Sequence, residues 1–188
     1  MKKNNTFKII MMSLCVVFNI LGSFLAVALK LPIYIDTIGT FLAAFLFGPI
    51  GGMLTGGATS IIAGISFDPM SLYFIPVQLV IGCFAGVFYK KNLFAGKFIP
   101  VGVILVTVIS SIVASVIAAF VFGGITSSGS SIIVMYLKEA GVNLVTSVFS
   151  TQILTDILDK SVAVMLVLGI LKTIPASIKE KYSIFKVC

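Results

Sequence analysis

Long apolar runs separated by short polar segments organise the chain. Crossing the hydrocarbon core of a bilayer takes about 20 predominantly apolar residues in a helix, and most of the runs approach this length. The pattern predicts an all-α membrane protein: a compact bundle of six transmembrane helices that forms a single domain over 1–188. The predicted spans are approximately 9–29, 36–48, 50–66, 72–89, 98–122 and 150–171.

The segment 36–66 decides the number of spans. It is too long for one crossing, and Gly48-Pro49 interrupts it. Proline lacks a backbone donor and pushes the residue before it out of the α region. We therefore expect two short helices in a hairpin, which gives six spans. A single tilted helix with a kink is the alternative, and it gives five.

The long connection 123–147 differs from the other loops. It opens with Gly123-Gly124 and a run rich in serine, threonine and glycine, and it then becomes partly apolar. A connection of this length in a compact domain is usually functional or partly ordered. We expect it on the outer side, with a short surface helix over 132–139 that leads into the last span.

Composition excludes a water-soluble globular protein. Apolar residues make up 59% of the 188 positions, charged residues only 10%, and the mean hydropathy is +1.21. Globular domains carry about 25% charged residues. Most of this protein's surface must therefore face lipid.

The net charge of +7 follows topology and does not indicate a nucleic-acid partner. All 13 basic residues are lysines, and six spans with a cytoplasmic N-terminus place ten of them inside. This is the bias of cytoplasmic loops towards lysine and arginine. We expect a multi-pass plasma-membrane protein with both termini cytoplasmic. The ten lysines are Lys2, Lys3, Lys8, Lys90, Lys91, Lys97, Lys172, Lys179, Lys181 and Lys186.

The carboxylates show the opposite asymmetry, since Glu180 alone maps inside. The five on the outer side are Asp36, Asp68, Glu139, Asp156 and Asp159. In the last span, Asp156, Asp159 and Lys160 share one helix face. Ionisable groups within a membrane are costly and usually functional. The alternative is an ion pair of Asp156 with Lys160 that only lets the helix enter the headgroups.

A pocket is expected near the outer surface. Pro76 lies early in the fourth span and frees a backbone carbonyl, with Tyr73 and Gln78 close by. Irregular backbone at membrane depth is tolerated where it lines protein or a cavity. The excess of acids indicates a ligand with donors or positive charge, such as an aminated or hydroxylated heterocycle.

Three sequence blocks carry a family resemblance. They are LPIYIDTIGT at 31–40, FGPIGG at 47–52 before a glycine-rich helix, and the ending from Asp159-Lys160 to Pro175. With its size and six spans, the chain resembles the substrate-binding S component of an energy-coupling factor (ECF) transporter over nearly its whole length. The resemblance implies capture of a vitamin, nucleoside or precursor from outside. The ligand-facing set that it implies is Tyr34, Asp36, Tyr73, Gln78, Asn143, Gln152, Asp156 and Asp159.

The resemblance also implies partners: a transmembrane T subunit and two cytoplasmic ATPases. Many members dock the T subunit through an Ala-xxx-Ala pair on the first helix, where this chain has Ser13 and Val17. Small residues of the third span, Gly52, Gly56 and Ser60, are further candidates for docking. Such faces let helix backbones approach closely, so internal packing of the bundle explains them equally well.

No catalytic constellation is visible. The phosphate-binding motif G-x-x-x-x-G-K-[ST] is absent, as is histidine. We therefore expect no enzyme, no metal and no cofactor in this chain, and ATP is expected to act in the partner subunits. The alternative function is a free-standing secondary transporter or channel that uses Asp156 and Asp159 as ion or proton sites.

Overall fold

The computed structural model describes the backbone of residues 2–173 and the side chains of residues 6–173. Within this range every regular element is a helix and none is a strand, which confirms the prediction of an all-α protein. Two 3-10 turns, Pro69–Leu72 and Gly96–Phe98, precede α3 and α4. The helices are α1 (Lys2–Ala28), α2 (Ile38–Ser66), α3 (Ile75–Lys90), α4 (Ile99–Phe120), α5 (Ser130–Glu139) and α6 (Leu144–Thr173).

Helix α2 reverses direction at its glycine-proline step. Gly48 has a φ of 80° and a ψ of −173°, which is not helical, and Pro49 follows it. Asn19 of α1 donates from one nitrogen to Thr40 at 2.9 Å and to Thr59 at 3.1 Å. Residues 19 apart in a straight helix would lie about 28 Å apart. The segment is therefore a hairpin of two arms, 38–47 and 49–66, as the sequence predicts.

Three helices are long and apolar enough to cross a membrane, namely Thr6–Ala28, Ile38–Ser66 and Gly96–Phe120. Helix α3 is apolar but shorter, and α6 carries three charged residues in its middle. Large apolar side chains such as Phe18, Leu21 and Leu25 are more than half exposed on α1. This surface suits lipid rather than water. Six crossings and cytoplasmic termini stay predictions, and Lys179, Lys181, Glu180 and Lys186 lie outside the described residues.

Glycines bring the second arm of α2 against α3. A β-carbon at Gly82 would meet the backbone of Gly52 and Met53, and one at Gly56 would lie 2.9 Å from the backbone oxygen of Gln78. Gly52 and Gly56 are therefore buried inside the chain and are not available to dock a partner. This packing favours the alternative of contacts inside the bundle, since small residues at four-residue spacing serve either kind of helix contact.

Three connections meet at one end of the bundle. They are 29–37, 67–74 and 121–129, and we call this the loop end. The Tyr34 hydroxyl lies 2.7 Å from the Ser127 hydroxyl, and Ser127 donates to Asp68 at 2.9 Å. The Gly129 N–H donates to the Leu31 carbonyl at 3.0 Å. These contacts join segments far apart in sequence into one polar layer.

Below this layer the bundle is filled with apolar side chains. Phe41, Phe45 and Phe94 contact one another, and Phe45 stacks on Tyr89 with ring centroids 4.1 Å apart. Val106 is fully buried in the same cluster. Polar groups of the core are therefore concentrated towards the loop end, which positions the candidate site there. The connection 123–147 contains α5, which covers the predicted surface helix, and α6 starts earlier than the predicted span.

We expect Gly82→Ala to lower the melting temperature of the purified chain in detergent. The added methyl group meets backbone that cannot rotate away, and overpacking of this kind costs about 1–3 kcal/mol. The matched control is Gly169→Ala in α6, where a β-carbon meets nothing within 4 Å. Equal melting temperatures for the two variants would contradict the close approach of the helices.

Candidate functional site

A cavity opens at the loop end between all the long helices except α1. Side chains from the connections, from the second arm of α2 and from α3, α4 and α6 surround it. The lining combines two aromatic rings, several hydroxyls, two amides, two carboxylates and one ammonium. The lining residues are Tyr34, Asp36, Ser60, Ser71, Phe74, Val77, Gln78, Ile81, Ala114, Thr126, Gln152, Asp156 and Lys160.

The structure brings most of the predicted ligand-facing residues together. Asp159 lies directly behind the lining, in contact with Lys160. Ser60, expected on a docking surface, is buried and lines the cavity instead. The predicted residues that line the cavity are Tyr34, Asp36, Gln78, Gln152 and Asp156.

Tyr73 and Asn143 are not brought to this cavity. Tyr73 is 56% exposed, and its ring packs edge-on against Phe122 with centroids 5.2 Å apart. The Asn143 side-chain oxygen accepts a hydrogen bond from the Val145 N–H at 2.9 Å. Asparagine at this position caps the first turn of a helix. Asn143 therefore fixes the start of α6 (Leu144–Thr173).

A buried charge cluster forms the floor of the cavity, and we call Lys160, Asp156 and Asp159 the Lys160 cluster. The ammonium lies 2.7 Å from Asp156 Oδ1 and 3.4 Å from Asp159 Oδ2, and each of the three residues is less than 10% exposed. Ser111 of α4 donates to Asp156 at 2.7 Å. The ion pair expected under the alternative explanation is thus formed. It lies inside the protein, where Asp156 and Lys160 also line the cavity.

Asp159 holds the connection between α1 and α2. One carboxylate oxygen accepts the Ile35 N–H at 2.9 Å, and the other accepts the Thr37 hydroxyl at 3.4 Å. Ile35 has a φ of 51°, a conformation that costs energy for a β-branched residue and that needs support from its surroundings. The contact places Tyr34 and Asp36, on either side of Ile35, at the cavity. Asp159 therefore positions lining residues rather than lining the cavity itself.

Asp36 connects the cavity to the interior through amides. The Gln78 amide donates to Asp36 Oδ2 at 2.7 Å, and Thr40 donates to the Gln78 oxygen at 3.2 Å. Thr40 accepts in turn from Asn19. Burial raises the pKa of the Asp36 carboxyl from 3.8 to about 7, and the charge of Asp159 adds to the increase. The Asp36 carboxyl therefore changes its ionisation near neutral pH.

Asp68 and Tyr34 belong to the polar layer at the loop end, and Tyr34 also lines the cavity. Asp68 accepts hydrogen bonds from Ser71 at 2.7 Å and from Ser127 at 2.9 Å. Burial raises the pKa of Tyr34 above its ordinary value of 10, so this residue acts as a neutral hydroxyl. Sequence reasoning assigned Asp68 to the outer side but gave no reason to pair it with Ser127, 59 positions away. Ser71, Thr126 and Ile81 carry no local signal that marks them as lining residues.

Comparison with known families identifies a match that covers most of the chain. The model of the family described as "ECF transporter, substrate-specific component" matches residues 7–171. This range contains every described residue of the cavity lining. No curated protein and no solved structure matches the chain significantly.

We expect Lys160→Met to destabilise the chain strongly. The substitution keeps an unbranched apolar stem but leaves Asp156 and Asp159 without their buried cation, and breaking a buried pair in this way costs about 3–5 kcal/mol. Thermal unfolding in detergent measures the loss. Lys138→Met on the exposed face of α5 is the control. A Lys160→Met variant as stable as Lys138→Met would show that the cluster contributes nothing to the fold.

The pH dependence of stability should report on Asp36. Its raised pKa means that the folded chain keeps a proton that the unfolded chain has released. This stabilising contribution is complete below about pH 4 and is lost as the pH rises through about 7. Asp36→Asn removes this pH-dependent loss of stability. The melting temperature of Asp36→Asn minus that of the wild type should therefore increase between about pH 4.5 and 8. A difference in melting temperature between Asp36→Asn and the wild type that stays constant across this pH range would refute the assignment.

Proposed function

The chain belongs to the substrate-specific components of ECF transporters, and we propose that it captures a small polar micronutrient from outside the cell. Members of this family are substrate-binding transporter subunits rather than enzymes, and the ATPase resides in partner subunits. The family and the apolar helices place the chain in a membrane. The proposed ligand is a vitamin, a nucleoside or a precursor of one, taken up through a multi-pass plasma-membrane subunit.

The observation that carries the proposal is the cavity at the loop end. Convergent polar groups in a partly apolar recess are typical of small-molecule sites, and this recess combines Tyr34 and Phe74 with amides and carboxylates. The aromatic side chains can contact the faces of a planar ring. Gln152 and Asp36 can bind its polar edge. Five of the eight residues proposed from the sequence as ligand contacts line this one recess.

The orientation follows from the lysines. Lys90, Lys91 and Lys97 lie in and beside the connection between α3 and α4, at the opposite end from the cavity. Lysine-rich connections are typically cytoplasmic, so we assign the loop end to the outside. A ligand would then enter the cavity directly from the external medium.

Energy is proposed to come from a T subunit and two cytoplasmic ATPases that bind ATP, with no cofactor in this chain. Ser13 and Val17 are both exposed on α1, so they remain available as the proposed docking contact. The other candidates are buried inside the chain, where Gly52 and Gly56 pack against α3 and Ser60 lines the cavity. Docking by α1 therefore replaces docking by the third predicted span in this proposal.

A free-standing secondary transporter receives less support. That function needs Asp156 and Asp159 as exchangeable ion or proton sites, whereas Lys160 already supplies a cation to both. Uptake by the chain alone into liposomes with an ion gradient would favour that alternative. Uptake that requires the T subunit and both ATPases would favour the importer.

Binding can be tested with the purified full chain. A panel of B vitamins, nucleosides and their precursors should contain a compound that raises the melting temperature. Gln152→Ala should weaken binding of that compound at least tenfold, because Gln152 lines the cavity and, among the described residues, its side chain hydrogen-bonds Asp156 alone, at 3.5 Å. Glu139→Gln should bind like the wild type. Wild-type affinity in Gln152→Ala, or no stabilising compound, would contradict the proposal.

A further inference from the structure

Carboxylates outnumber cations at the cavity. Asp36, Asp156 and Asp159 lie at or directly behind its lining, and Lys160 is the one cationic side chain among the lining residues. Three carboxylates and one ammonium leave a formal charge of −2 when all are ionised. The charge is still −1 when Asp36 holds a proton. With Asp156, Asp159 and Lys160 ionised, the surplus is therefore negative whether or not Asp36 holds a proton.

Nothing nearby in the described part of the chain cancels this surplus. Lys30 and Lys138, the other lysines assigned to the loop end, are both exposed and do not line the cavity. The N-terminus of α2, which begins two residues after Asp36, supplies about half a positive charge at most. Buried charge without a counter-charge is costly. The cavity thus carries negative charge that no cation among the described residues balances.

Asp36 is the carboxylate with an oxygen available to bind a ligand. Both oxygens of Asp156 and both oxygens of Asp159 accept hydrogen bonds or contact Lys160. Asp36 uses one oxygen for Gln78, and its other oxygen accepts no hydrogen bond from residues 6–173. The aromatic residues Tyr34 and Phe74 line the same cavity. Aromatic faces attract cations as well.

We propose that the ligand is a small organic cation, an ammonium or a positively charged heterocycle, whose charged group binds the free oxygen of Asp36. This inference rests on the proposed binding function and adds the charge class of the ligand. The single charge of Lys160 offsets one of the negative charges of Asp156 and Asp159, and the proposed ligand supplies further positive charge at Asp36. A ligand with a net negative charge would add to the surplus and is disfavoured by repulsion.

Charge fractions of one mixture test the class directly. A mixture of B vitamins, nucleosides and their precursors is separated at about pH 7 by ion exchange into cationic, neutral and anionic fractions. Each fraction is added to the purified full chain, and the melting temperature is measured. The cationic fraction should stabilise the chain, because a ligand that binds only the folded state raises stability with its concentration.

The outcomes separate the two proposals. Stabilisation by the neutral or anionic fraction alone would overturn the cation inference and leave the binding function intact. Stabilisation by no fraction would overturn the binding function, and the inference with it.

Variants of Asp36 test the anchor. Asp36→Asn keeps an oxygen for Gln78 but loses the charge, so affinity for the compound isolated from the cationic fraction should fall at least tenfold. Asp36→Glu keeps the charge and should retain more of the affinity than Asp36→Asn. Glu139→Gln removes an exposed carboxylate and should leave binding unchanged. Equal affinity in Asp36→Asn and the wild type would overturn the assignment of Asp36.

Discussion

The ammonium of Lys160, held between Asp156 and Asp159 in the interior of the bundle, is the interaction on which the site depends. Burying charges is costly unless they are paired and hydrogen-bonded. Here the same carboxylates that neutralise Lys160 also reach other elements, since Asp156 accepts from Ser111 of α4 and Asp159 from the backbone of Ile35. One charge cluster on α6 therefore holds a helix and a connection in place.

Close packing of α1, α2 and α3 positions the residues that surround this cluster. The reversal at Gly48 places both arms of α2 beside α1, where Asn19 bonds Thr40 and Thr59. Glycines then bring the second arm against α3, so Gln78 reaches Thr40 on one side and Asp36 on the other. In lipid, burial of apolar side chains does not drive helix association. Close backbone contacts and these hydrogen bonds therefore determine more of how the helices pack. As a result, the connection that bears Tyr34 and Asp36 is held by Asp159 of α6 and by Gln78 of α3.

The sequence predicts the features that are local. The hairpin follows from Gly48-Pro49, and spacings of three and four place Asp156, Asp159 and Lys160 on one helix face. Contacts between distant segments carry no such signal. Gly52 and Gly56 look the same whether the facing helix belongs to this chain or to another subunit. Asn143 resembles a ligand-binding amide until the start of α6 is known.

The most direct test of this account is a structure of the purified full chain in complex with the compound that stabilises it. We expect the compound in the cavity at the loop end, in contact with Asp36 and Gln152, with Lys160 still between Asp156 and Asp159. A compound bound elsewhere on the bundle, or a Lys160 side chain that points away from both carboxylates, would contradict the account.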